Sequence, residues 1–267
     1  MRWLKPLAVG ALCLTVAACT TSPTGRHRLT LASDDQLDQM GTQAFEQYKQ
    51  ERPMVGGSTQ RYVQCVANAL VSALPPQQQQ AQDWQIRVFE DESANAFALP
   101  GGYMGVNTGL LTVASNQDQL AAVIGHEITH VLARHANERV STQTATQLGL
   151  SVLSTAAGLE GAGGEQLMGA LGLGAQYGIL MPFSRRHESE ADELGVYLMA
   201  EAGFDPRASL TLWENMSAQG GAQPPAWMSS HPSHGQRTQD LQAHMGEALG
   251  RYEQARQAGR TPNCPRP

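Results

Sequence analysis

Between residues 63 and 74, apolar side chains fall at Val63, Val66, Ala67, Leu70 and Leu74. Steps of three and four lay one stripe along a helix. The same period runs through residues 34–52, so helices are predicted over 34–52 and 58–74. Pro75-Pro76-Gln77-Gln78-Gln79-Gln80 interrupts the pattern and reads as a breaker and solvated linker. The period then shortens to two. Trp84-Gln85-Ile86-Arg87-Val88-Phe89 alternates as a strand should, and Tyr103 to Asn107 reads as a second strand after the Pro100-Gly101-Gly102 turn. Residues 145–182 are rich in Ala, Gly, Leu and Met, but Gly158, Glu160, Gly161, Gly163, Gly164 and Glu165 break the runs before they reach the about 20 residues of a membrane span. This interval reads as a loose helical hairpin that packs the core rather than forming a lid. Beyond Pro206, helices are expected around Leu210–Met216 and Thr238–Arg256, followed by a Pro-rich tail. The chain is α+β, mainly helical, with no internal repeat.

One helical run carries chemistry. Leu120, Ala121, Ala122, Val123 and Ile124 on one side, and Val131, Leu132 and Ala133 on the other, flank His126-Glu127-Ile128-Thr129-His130. Positions four apart stack on one helical face, so both imidazoles can converge on one ion, and neutral imidazole is a good Zn²⁺ ligand. Glu127 adjoins the first ligand, where it can reach a water but is badly angled to bind the ion. A largely buried helix does not hold two His and a Glu without partners. The arrangement is that of a metal-assisted hydrolase.

Catalytic zinc sites use three protein ligands and keep a position open, so one more ligand is required. His135 lies nine residues after His126, half-way round a continuing helix, and points away. Ala133 and Ala136 stand where the metzincin extension wants Gly and His. The better source is Ser184-Arg185-Arg186-His187-Glu188-Ser189-Glu190-Ala191-Asp192. Spacing alone leaves Glu188 and Glu190 open as the ligand; Asp192 shares a face with Glu188 and suits an orienting role.

HEITH, SRRHESEAD, His231-Pro232-Ser233-His234-Gly235-Gln236-Arg237, and Asn95 to Gly102 followed by Tyr103 to Leu111 together resemble the zinc endopeptidase family of the CAAX prenyl protease, HtpX, BepA and LoiP. These blocks cover roughly residues 90 to 240. The resemblance implies a zincin-like metallopeptidase domain with a small sheet beside the HExxH helix, and one Zn²⁺ per chain bound by His126, His130 and Glu188. It assigns Glu127 as general base and Asp192 a supporting role near the metal. It places His231 close to the ion, where in some members it fills the open coordination position as a latch. Arg237 matches the Arg closing that block, whereas His234 has no such support. Thr129 departs from the small residue more usual in the family, and its β-branch stiffens the helix. Ala98 to Val106 is, by resemblance, the edge region on which substrate is held as an added strand.

The ends of the chain add a compartment. Arg2 and Lys5, an apolar run from Leu7 to Val16 and small residues before Cys19 read as an export signal over 1–18. Val16-Ala17-Ala18-Cys19 resembles a bacterial lipobox, whose cleavage leaves a lipidated Cys19; Thr20 rather than Asp after it favours the outer membrane. Residues 19–33 read as a tether and 34–267 as the metallopeptidase domain. Losing Arg2 and Lys5 takes the formal charge from −6 to about −8, without any basic cluster to suit nucleic acid. Cys65 and Cys264 remain and are expected to pair in an oxidising compartment. The expectation is a lipid-anchored periplasmic zinc endopeptidase acting on misfolded or misassembled envelope polypeptides, with the outer-membrane assembly machinery as a candidate partner. The alternative is a chaperone-like lipoprotein that assists outer-membrane assembly with a latched or non-catalytic metal.

Overall fold

The computed structural model describes residues 19–156, 183–219, 226–231 and 237–267. The expected export signal at 1–18, the 157–182 part of the expected hairpin, and His234 lie outside the described residues. The chain divides into two compact units, Met1–Leu37 with Ala133–Met181, and Asp38–Leu132 with Pro182–Pro267.

In the first unit, part of the expected tether is ordered. Strands β1 (Cys19–Thr21) and β2 (His27–Leu29) pair antiparallel around a turn at Gly25, which adopts φ 86°. A bidentate ion pair links Arg26 to Glu138 at 2.6 and 2.8 Å, and Leu31 N–H donates to Ser141 Oγ at 2.7 Å. Few apolar residues mark this hairpin, and its polar ties reach residues more than 100 positions away. Local periodicity therefore does not reveal it.

The second unit carries the site. Helix α1 (Asp34–Glu51) leads into it; then come β3 (Met54–Val55) and α2 (Gly57–Ala73), close to the predicted 58–74 helix. The presumed linker at Pro75–Gln80 folds as a short exposed helix, α3 (Pro76–Gln80). Proline at a first helical position has its φ already set and loses no bond the helix needs, so it starts this turn rather than breaking it. Strands β4 (Gln85–Phe89), β5 (Ala96–Leu99) and β6 (Tyr103–Asn107) complete a sheet of order β3-β4-β6-β5, parallel only between β4 and β6. Gly101 and Gly102, with φ of 87° and 85°, make the tight β5–β6 turn that side-chain-bearing residues resist. The expected edge region of 98–106 is thus split. Only β5 is an edge; β6 is interior, buried at all five positions.

The two flanks of this sheet end differently. On the β3 side, Gln60 of α2 uses its side-chain amide as a substitute strand, donating to Ile86 O at 3.0 Å and accepting from Val88 N–H at 2.9 Å. On the other side lies β5, packed along helix α5 (Gln117–Leu132), which follows the short α4 (Leu110–Val113).

Tyr62, Val63, Val66 and Leu70 of α2 meet Ile86, Val88, Met104 and Val106 of the sheet and Leu120, Ile124 and Ile128 of α5 in one apolar core. Helix α5 stops at Leu132, Arg134 takes a left-handed φ of 55°, and α6 (His135–Ala156) begins the first unit's long helix. His135 is therefore not nine residues along the same helix; it starts the next one. Helices α7 (Arg185–Glu201), α8 (Ala208–Gln219), α9 (Ala226–Ser230) and α10 (Arg237–Gln257) finish the unit. A Cys65–Cys264 disulfide, Cα atoms 5.7 Å apart, fastens the tail to α2 as expected. No helix among the described residues is long and apolar enough to cross a membrane.

Candidate metal centre

Helices α5 and α7 touch backbone to backbone, because glycines stand where they cross. A Cβ on Gly195 would lie 3.0 Å from both the backbone N and Cα of His126, and one on Gly125 would lie 3.1 Å from Gly195 O. Glycine inside a helix costs about 1 kcal/mol relative to alanine, so two facing each other need a reason. Here the close approach brings the first half of α7, with Glu188 and Asp192, against His126 and His130. Ser184 caps α7 by accepting the His187 N–H at 3.3 Å, and Glu188 in the first turn suits the positive end of the helix.

Four buried donors converge: His126, His130, Glu188 and His231, with their ligating atoms within 4.8 Å of one another. The two imidazole Nε2 atoms are 2.9 Å apart, Glu188 Oε2 is 3.5 Å from His126 Nε2, and Glu188 Oε1 is 3.6 Å from His130 Nε2. His231 Nδ1 lies 3.3 Å from His126 Nε2 and 3.1 Å from Glu188 Oε1. Bonds of 2.0–2.1 Å in a tetrahedron put donors about 3.3 Å apart, so the 2.9 to 3.6 Å separations are of the size a single zinc-sized ion requires. Glu190, which spacing could not separate from Glu188, is buried but not in the cluster; nor is His135.

The second layer fixes these donors. His126 Nδ1 faces Asp192 Oδ1 at 3.0 Å, which fixes the ring with its Nε2 side turned into the cluster. Asp192 is thus a hydrogen-bond partner of His126 and is not one of the four clustered donors. Buried Arg237 donates to Asp192 Oδ1 at 2.6 Å and to Glu188 Oε2 at 3.3 Å, and lies over the Trp213 ring at 3.5 Å. One guanidinium thereby bridges two carboxylates and offsets part of the charge that burial would otherwise make costly. Burial pushes the His126 imidazole down, but hydrogen bonds to Asp192 and Glu188 outweigh it and raise it to about 9. Burial pushes Glu188 up, and the hydrogen bonds from His126 and His231 outweigh that, holding it well below the usual carboxylate range. Both directions follow from imidazoles and carboxylates facing one another in a buried cluster.

Glu127 sits beside the cluster. Its Oε1 accepts the Trp227 indole N–H at 2.8 Å and lies 3.3 Å from His231 Nε2. Phe183 stacks on His130 with ring centroids 3.7 Å apart, and Thr129 turns its hydroxyl onto Gly125 O at 2.9 Å. That bond keeps the β-branched side chain against its own helix. Trp227, Phe183 and Gly195 were not foreseen. Only the glycines left a trace, as helix-unfriendly residues next to chemically loaded ones.

Comparison with known proteins agrees with this geometry. The chain is 37% identical over 172 residues to the mitochondrial metalloendopeptidase OMA1 of Schizosaccharomyces pombe, covering 64% of this chain and 49% of that protein. It is 32% identical over 256 residues to the mitochondrial metalloendopeptidase OMA1 of Bos taurus, covering 91% and 47%. Against the beta-barrel assembly-enhancing protease of Escherichia coli it is 32% identical over 154 residues, 54% of this chain and 31% of that protein. The chain thus spans about half the length of the OMA1 relatives. The profile described as Peptidase family M48 matches residues 57–245, a stretch that holds both α5 and α7, His231 and the whole second-layer network, and the chain belongs to that family.

Proposed function

We propose that this chain is a zinc-dependent endopeptidase, lipid-anchored through Cys19 at the periplasmic face of a bacterial outer membrane, that hydrolyses misfolded or misassembled envelope proteins. The observation that carries the hydrolytic reading is the set of donor separations among His126, His130 and Glu188, with Glu127 alongside. His126, His130 and Glu188 would hold the ion; when bound, zinc supplies Lewis-acid polarisation of a carbonyl and makes a water more acidic. Glu127 takes the proton of the attacking water and returns it to the departing amine. Asp192 holds the His126 ring, and Arg237 offsets the charge of Glu188 and Asp192. The β5 edge, beside α5, offers backbone groups to an extended chain with little demand on its sequence.

His231 completes a four-donor set, whereas hydrolysis needs the fourth place for water. It therefore acts as a latch that must swing out before turnover. This same closure favours the second reading, a chaperone-like lipoprotein that works with its metal latched, in partnership with outer-membrane assembly machinery. Similarity to proteins named metalloendopeptidase and beta-barrel assembly-enhancing protease supports hydrolysis and an envelope setting, and the lipobox supports the anchor.

The test is Glu127→Gln. It is expected to retain zinc and to lose cleavage of denatured casein, and a null strain carrying it is expected to keep its defect. Full rescue of that strain by Glu127→Gln would replace the enzyme with the chaperone.

A further inference from the structure

Trp227 spends its one hydrogen-bond donor in an unusual place. A buried indole N–H normally finds a backbone carbonyl or other neutral acceptor. Here the ring is 1% exposed and its N–H meets Oε1 of Glu127 at 2.8 Å. The ring has little freedom to point elsewhere. It stacks on His231 with centroids 4.9 Å apart and on Trp213 at 5.1 Å, and the Arg237 guanidinium sits 5.4 Å from its centre. Its backbone is tied as well: Trp227 N–H donates to Ala94 O at 3.1 Å, just before β5, and Trp227 O accepts the His231 N–H at 2.8 Å. The donor is thus anchored to both the sheet and the core, on an element separate from the helix that carries the carboxylate.

We propose that Trp227 is a positioning residue that holds the Glu127 carboxylate in orientation for proton transfer. This rests on the peptidase reading above. A glutamate side chain has three rotatable bonds, and a base must meet its proton within hydrogen-bond reach. Fixing one oxygen from a rigid indole leaves the second oxygen to accept the proton from water, and removes the search over rotamers before each turnover. The same ring stack also connects Glu127 to Glu188 through Trp213 and Arg237, so the base and the carboxylate ligand share one rigid support.

The experiment compares the full chain with Trp227→Phe, which keeps an aromatic ring and deletes the donor. With denatured casein, well below either melting temperature, kcat is expected to fall about 10- to 100-fold, the range for losing a hydrogen bond to a charged group. KM and zinc content are expected to stay at wild-type values. A second measurement needs no turnover and leaves the aromatic stack unsubstituted. In protein labelled with ¹⁵N at tryptophan, the Trp227 indole proton is expected downfield and slow to exchange, and to move upfield in Glu127→Gln, zinc-loaded or not. The proposal is overturned by an unchanged or increased kcat in Trp227→Phe, by a change confined to KM or zinc content, or by an indole resonance indifferent to Glu127→Gln. A zinc-loaded wild type that cleaves nothing sinks the peptidase reading; an idle Trp227→Phe in an active enzyme sinks this proposal alone.

Discussion

Helix α5 holds two pairs of buried residues at the same spacing, His126/His130 and Ile124/Ile128, on opposite sides of one cylinder. Each member of the first pair is about 200° round the helix from a member of the second. Burial is nearly identical, at 3% exposure for both histidines and 1% or less for both isoleucines. What holds them differs in kind. The isoleucines sit in a core formed by α2, the sheet and α7, where attraction is non-directional and any neighbour of about the right volume serves. The histidines sit among atoms placed at 2.9 to 3.6 Å, where a displacement of an ångström takes a donor out of the cluster. The apolar side makes the helix stay put; the polar side gives the fixed helix something to do.

The largest expected way to break that contrast is Glu188→Gln. An amide keeps the volume but forfeits the charge that both imidazoles face, so zinc affinity should fall by more than about 100-fold, beyond the loss from an outer partner. Equilibrium dialysis measures it, and wild-type retention would remove Glu188 from the ligand set. Next comes Ile128→Ala, expected to cost about 2–5 kcal/mol in a urea melt while zinc stoichiometry stays intact. Activity per folded molecule that collapsed along with stability would show that the two sides are not separable. Asp192→Asn should be smaller, a 10- to 100-fold weakening of zinc binding, because His126 loses the acceptor that fixes its ring. Unaltered affinity would show Asp192 to be a partner of Arg237 only.

The smallest effect lies outside the cluster, at Asp91 in the loop before β5. Hydrogen bonds from the Ser93 hydroxyl and backbone hold its carboxyl below the ordinary value, despite a smaller upward push from burial. A depressed folded-state value means that its stabilisation is present above about pH 4 and is lost as pH falls through the folded value. Asp91→Asn should therefore lower stability modestly at pH 7, leave it nearly unchanged at pH 2, and so flatten the acid side of the stability curve. A thermal-melt series from pH 2 to pH 7 checks it, and an unchanged acid limb would show the loop to be indifferent to that charge.

The parts of this molecule legible in the sequence are those in which information is local. A helix announces His126, Glu127 and His130 because four residues make a turn, and the strands at 84–89 and 103–107 announce themselves by alternation. Spacing could not choose between Glu188 and Glu190, since both lie on one helix and only the packing partner selects a face. His231 was reachable through resemblance alone. Trp227 and Phe183 were not reachable, because nothing in a tryptophan or phenylalanine on a chain says which carboxylate or ring it will meet 100 or 53 residues away. The β1–β2 hairpin was missed for the same reason, its supports being distant polar groups. The Cys65–Cys264 bond was anticipated by counting, as few thiols remained to choose from.

The amide of Gln60 has one more consequence. By answering both Ile86 and Val88, it closes off part of one margin of the sheet that would otherwise invite a neighbouring polypeptide, and the two-residue β3 covers the rest. An added strand finds the Ile86 carbonyl and the Val88 N–H already answered there. At those residues the sheet is guarded against edge-to-edge pairing, the usual route by which open strand margins aggregate.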